Sequence, residues 1–153
     1  MASKCKTCGS ELMAISVPAF AGKDGPVVIT FSNLPILACP HGHEKRMVDT
    51  EFPLYVLQTV TKNVPMSSLK GFTRKQHVCN KCSTPLDQER PETARFEVRL
   101  SWKETQPFGA SLDGPSAKCS SCMTLQLIKT TKVEREEIPN AIVNAFESIQ
   151  LKR

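Results

Sequence analysis

The stretch KCKTCGSEL at residues 4–12 sets two cysteines three positions apart, and that spacing recurs along the chain. The 153 residues hold seven cysteines: Cys5, Cys8, Cys39, Cys79, Cys82, Cys119 and Cys122. All but Cys39 fall into Cys-x-x-Cys pairs. Cys39 opens CPHGH at residues 39–43, where His41 or His43 can supply an eighth donor. Seven thiols and one imidazole make two sets of four.

Two thiolates on one short turn can point at the same ion while the backbone N–H groups of that turn hydrogen-bond the sulfurs. Two such turns brought together form a closed tetrahedral zinc site. A disulfide framework is the competing reading. It needs an oxidising compartment, but the start MASKCKTC has no apolar run and small-residue cleavage site, and an odd cysteine count suits disulfides poorly. The expectation is therefore two zinc ions in a cytoplasmic protein. Order along the chain gives Cys5, Cys8, Cys39 and a histidine to the first ion, and Cys79, Cys82, Cys119 and Cys122 to the second. Crossed pairing needs a more tangled chain. His43 is favoured over His41, whose Cys-x-His spacing crowds the two side chains; His77 reads as a linker residue.

Between the cysteine turns, PVVITFSNLPIL at residues 26–37 and RFEVRLSW at 95–102 carry strand signals. Turn markers bracket them: GKDGP at 22–26, DQERPE at 87–92 and SLDGP at 111–115. After each comes an acidic-apolar-proline step, TEFPLYVLQTVTKN at 50–63 and EEIPNAIVNAFESIQLKR at 136–153. Proline in a first helical turn behind acidic residues is a helix start. Ile138, Ile142, Phe146 and Ile149 then share one helix face, whereas Tyr55, Val56, Val60 and Thr61 would also tolerate a strand. The offsets Cys5 to Cys79, Cys39 to Cys119 and Pro53 to Pro139 are 74, 80 and 86, which suggests a duplicated unit. The expected fold is a small metal-bound α+β protein of two zinc ribbons, each an antiparallel hairpin or three-stranded sheet followed by a short helix. The first spans 1–63, a basic linker 64–77, and the second 78–153.

A ribbon of about 50 residues has too little core to fold unaided, and structural zinc contributes on the order of 10 kcal/mol. No long uncharged apolar run suggests a membrane span. The formal charge of +5 becomes +2 when seven thiolates and two divalent ions are counted, minus seven plus four, a modest field for a polyanion partner. The densest basic stretch is KGFTRKQH at 70–77. There Lys70, Arg74 and Lys75 can meet phosphates and Phe72 can stack on a base.

With KCKTCGSEL and ACPHGH as signatures, the chain resembles a tandem pair of zinc ribbons of the rubredoxin-like, zinc-knuckle type. Its amino-terminal half also resembles the zinc domain of small bacterial antitoxin and transcription-regulator proteins, in which a Cys-x-x-Cys-Gly turn, a hairpin and a second knuckle occur in this order. Those proteins continue into a helix-turn-helix, whereas here a second ribbon pattern follows, and His43 stands in place of a second Cys-x-x-Cys pair. The resemblance implies the metal fold rather than the regulator function. The functional expectation is a non-catalytic zinc-binding adaptor for a protein or nucleic acid. Its alternatives are a transcription-related nucleic-acid-binding protein and a rubredoxin-like iron electron-transfer protein, although CNKCS and CSSCM lack that family's proline and glycine. Sheet edges leave a homodimer open.

Overall fold

A computed structural model describes residues 3–70, 76–86, 92–103, 105–128 and 137–151. Along the chain it forms β1 (Met13–Asp24), β2 (Val27–Ala38), β3 (Lys45–Arg46), α1 (Phe52–Asn63), β4 (Ser68–Lys70), β5 (Gln76–Val78), β6 (Glu92–Leu100), β7 (Phe108–Lys118), β8 (Leu125–Leu127) and α2 (Glu137–Ser148). β2 governs their assembly. Its Val27, Ile29, Phe31, Leu34 and Ile36 are fully buried, so this strand needs a neighbour on each edge and cover on its face.

One edge is met by β1, reached through a turn at Gly25 (φ 58) and paired from Asp24↔Val27 to Met13↔Ala38. The other edge is met by β7, paired antiparallel from Val28↔Asp113 to Ser32↔Gly109. β6 pairs with β7, and the short β3 and β8 pair antiparallel with the carboxy-terminal ends of β2 and β7. The result is one six-stranded antiparallel sheet with β1-β2-β7-β6 as its path, beside a separate β4–β5 pair.

The helices exchange sides. α2, the last element, lies on β1 and β2, and α1 contacts β6. Phe146 of α2 stacks on Phe31 at 5.4 Å between ring centroids and approaches Phe20 at 6.5 Å. In return, Phe52 of α1 meets Trp102 at 5.7 Å and Phe108 at 5.6 Å, and Tyr55 meets Trp102 at 4.9 Å. Polar ties follow the same exchange: Asn144 Nδ2 donates to the Lys23 carbonyl (2.8 Å), Ser101 N–H to the Tyr55 hydroxyl oxygen (3.0 Å), and Lys103 pairs with Asp49 (2.8 Å). At Gly22 a Cβ would collide with the α2 backbone at Ala141 and Ala145. Only glycine lets the helix lie so close to the strand.

This architecture overturns the expectation of two small α+β zinc ribbons, each followed by its own helix. The physical reason is the apolar length of β2. A ribbon alone would leave its second edge unpaired and Phe20 and Phe31 without the cover that α2 brings, so one core runs through both halves. The turn expected at SLDGP also does not form there, because β7 runs straight through it and the chain reverses between β6 and β7 instead. β1 was not foreseen as a strand. Both proline-started helices form, α1 included, but α2 ends at Ser148, so Ile149, expected on its apolar face, lies in the turn that follows. Among the described residues no helix is long and apolar enough to cross a membrane.

Because each helix packs on the other half's strands, the metal-loaded chain should melt in one transition. Phe146→Ala should lower stability by about 3–5 kcal/mol and leave a single transition by calorimetry. Two separate transitions, with only one displaced, would contradict the shared core.

Candidate metal centres

The four cysteine turns are built alike. The leading cysteine's N–H donates to the carbonyl five residues on: Cys5 to Ser10, Cys39 to Glu44, Cys79 to Thr84 and Cys119 to Thr124, at 2.8–2.9 Å. In three of them the residue after the second cysteine turns into the left-handed region, Gly9 (φ 72), Ser83 (φ 61) and Met123 (φ 66), and its N–H returns to the leading cysteine's carbonyl. CPHGH is one residue tighter. Gly42 (φ 78) donates to the Cys39 carbonyl at 3.0 Å, so the second donor follows the glycine instead of preceding it, and that donor is His43.

These turns meet in two groups. Cys5, Cys8, Cys39 and His43 form one, Cys79, Cys82, Cys119 and Cys122 the other, and in each group the donor atoms lie within 4.8 Å of one another. In the first, Cys8 Sγ is 3.6 Å from Cys39 Sγ, and His43 Nδ1 is 3.6 Å from Cys39 Sγ and 3.8 Å from Cys5 Sγ. In the second, Cys79–Cys122 and Cys82–Cys119 sulfurs are each 3.5 Å apart. A tetrahedron with metal–sulfur bonds of about 2.3 Å has edges of about 3.8 Å, whereas a disulfide needs about 2.05 Å. Spacing and donor chemistry therefore fit a metal ion, and all seven cysteines are free thiols. His41 stands outside the donor group; its backbone N–H donates to Cys39 Sγ at 3.4 Å. His77 is buried against Ser67 Oγ at 2.9 Å.

Each group pairs buried with exposed sulfurs. Cys5, Cys39, Cys79 and Cys119 are buried, and Cys8, Cys82 and Cys122 are exposed. Backbone N–H groups of Thr7, Lys81 and Cys122 reach Cys5, Cys79 and Cys119 sulfurs at 3.4–3.5 Å. Burial opposes ionisation of Cys79, but the N–H groups of Cys82 and Lys81 and the Gln126 amide outweigh it and bring the thiol down to about 6. The Ser10 hydroxyl and N–H bring Cys8 down to about 7. Their neighbours move the other way. Cys39 is pushed up by burial, and Cys82, despite the Thr84 hydroxyl, by Cys119, burial and Cys79. Adjacent thiolates repel, and a bound cation relieves that repulsion.

Sequence reasoning missed the side chains behind the sulfurs. Gln126 is fully buried and touches Cys79 Sγ, and Glu44 accepts the Lys6 N–H at 2.8 Å while holding Arg46 at 2.9 and 3.0 Å. The available signal was a charged or amide residue one to four positions past each second knuckle. Of the expected nucleic-acid contacts, Lys70 ends β4, and Phe72, Arg74 and Lys75 lie outside the described residues.

Comparison with known proteins returns no match: no family model fits the chain, and no curated protein or solved structure is similar enough to carry an argument.

His43→Ala should reduce the metal content of purified, reductant-treated protein by one ion per chain, and His41→Ala should leave it unchanged. Elemental analysis giving the reverse order would transfer the ligand role to His41.

Proposed function

We propose that the protein is a non-catalytic adaptor that binds two zinc ions and engages another macromolecule, preferentially a protein. The carrying observation is that each donor group contains four protein atoms. Four protein ligands fill a tetrahedral zinc, whereas catalytic zinc keeps one position for water. A reducing, cytoplasmic setting goes with this reading, since the thiols must stay free to hold metal.

A protein partner is favoured over nucleic acid for two reasons. The charge of about +2 with both ions bound is small for phosphate-driven binding. Exposed apolar side chains also mark the surface, among them Met13 and Ile15 on the edge strand β1 and Leu54 on α1. Beside that edge lies an open groove of about 810 Å³ lined by Ala14, Ile15, Pro35, Leu37, Val48 and Trp102 among others. An edge strand next to apolar side chains suits an added strand from a partner or a second copy.

Duplication of an ancestral one-ion unit accounts for the pairing pattern. Adding 80, the offset from Cys39 to Cys119, to the pairs Leu37↔Arg46 and Ala38↔Lys45 of β2 and β3 gives Ala117↔Gln126 and Lys118↔Leu125, the pairs of β7 and β8.

The discriminating experiment is a nucleic-acid titration across salt concentrations with the zinc-loaded chain. Binding should be no tighter than about micromolar at physiological salt and without base selectivity. If the basic stretch works by neutralising phosphates, as the nucleic-acid alternative requires, changing Lys70, Arg74 and Lys75 to alanine flattens the salt dependence by nearly one unit of slope per lost contact. With a protein partner these charges should matter little. Tight, sequence-selective binding by the unmodified protein would overturn the preference for a protein partner.

A further inference from the structure

Gln126, in β8, is 0% exposed, a costly place for an amide unless every polar atom is used. Its Nε2 donates to Cys79 Sγ at 3.0 Å and reaches the Thr124 carbonyl at 3.5 Å, while its Oε1 accepts the Asn80 N–H at 2.9 Å. These partners fix the amide's orientation. Turned over, it would aim a carbonyl oxygen at sulfur and an NH₂ group at an N–H.

The register places Arg46 at the equivalent point of the first group, since Leu37↔Arg46 corresponds to Ala117↔Gln126. The chemistry there differs. Arg46 holds Glu44, and Glu44 takes the N–H of Lys6, which follows Cys5 as Asn80 follows Cys79. Both turns thus have the same backbone N–H capped by a side-chain oxygen, from a carboxylate in the first group and an amide in the second. Only the amide keeps a donor for sulfur. With a divalent ion, three thiolates and an imidazole carry a net charge of about −1 and four thiolates about −2. The neutral donor stands at the more negative group.

We infer that Gln126 is a positioning residue of the second metal centre, holding the Cys79–Cys82 turn and drawing charge from the Cys79 thiolate. The inference rests on the reading that this group binds zinc. An N–H···S bond lowers the energy of the sulfur lone pair and orients the ligand, and partners of this kind typically govern 10–100-fold in metal affinity.

The test compares the full chain with Gln126→Glu, which replaces the donor by a carboxylate, and Gln126→Met, which keeps length but makes no hydrogen bond. Arg46→Met serves as a control at the equivalent position. Zinc affinity of the second site, measured by chelator competition, should fall about 10–100-fold in Gln126→Glu and less in Gln126→Met. With cobalt in place of zinc, the sulfur-to-metal charge-transfer band should move to longer wavelength in both, a change that looser packing alone would not produce. Arg46→Met should leave the second site's band in place. Wild-type affinity and band position in both Gln126 variants would overturn the inference. Should the variants not fold, the unmodified chain loaded with spin-active cadmium decides: the Gln126 side-chain amide protons should couple to the metal through Cys79, and absence of coupling overturns the inference. A wild-type chain that takes up no metal at its four cysteines would remove the underlying zinc reading instead.

Discussion

Four sulfur or nitrogen donors within 4.8 Å of one another set the constraint on which the rest of this structure depends. They cannot all be charged without a cation among them, as the opposed thiol shifts already indicate: Cys79 is held near 6 while Cys82 beside it is pushed up. The positions of these groups matter as much as their chemistry. Cys5 and Cys8 precede β1 and Cys39 follows β2, so the first group ties the open end of that hairpin, opposite its turn at Gly25. Cys79 and Cys82 precede β6 and Cys119 follows β7, so the second group does the same for the other hairpin. An ion at each place would remove the fraying to which an isolated hairpin is prone.

Tied hairpins still have to bury their faces and edges, and the chain does this by exchange. β2 and β7 pair antiparallel, which sends their carboxy-terminal ends, and hence the two donor groups, to opposite ends of one sheet. Each helix then covers strands from the other half, Phe146 against Phe20 and Phe31, Phe52 and Tyr55 against Trp102 and Phe108. The groups of donors stay separate while the core is shared. On the proposed reading, this keeps both centres on one rigid frame and leaves β1 as an edge for a partner.

Much of this was legible in the sequence, and the misses have identifiable causes. Cysteine spacing located the turns because a tetrahedral site restricts which residues can meet. Proline behind acidic residues located both helices, even α1, whose Tyr55, Val56 and Val60 would have suited a strand. Periodicity told which face of α2 is apolar, Ile138, Ile142 and Phe146, but carried no information about which hairpin that face covers. SLDGP suggested a turn because Asp-Gly-Pro commonly makes one. In the sheet, Asp113 is instead a cross-strand partner of Arg95 at 2.9 Å, and Gly114 makes room for the Leu127 side chain. β1 escaped notice because Pro18 and small residues at Ala19, Ala21 and Gly22 blur its alternation. Gln126 could not be placed from its triplet LQL, since its role depends on a sulfur 47 residues earlier in the chain.

X-ray absorption on the fully loaded, reductant-treated protein tests the central claim most directly, because it counts the atoms bound to the metal. Seven sulfurs and one imidazole shared between two ions predict a zinc edge with an average shell of about 3.5 sulfurs and 0.5 nitrogen at tetrahedral distances, near 2.3 and 2.0 Å. An iron edge, a shell containing water oxygen, or sulfurs joined to each other instead of to a metal would contradict it.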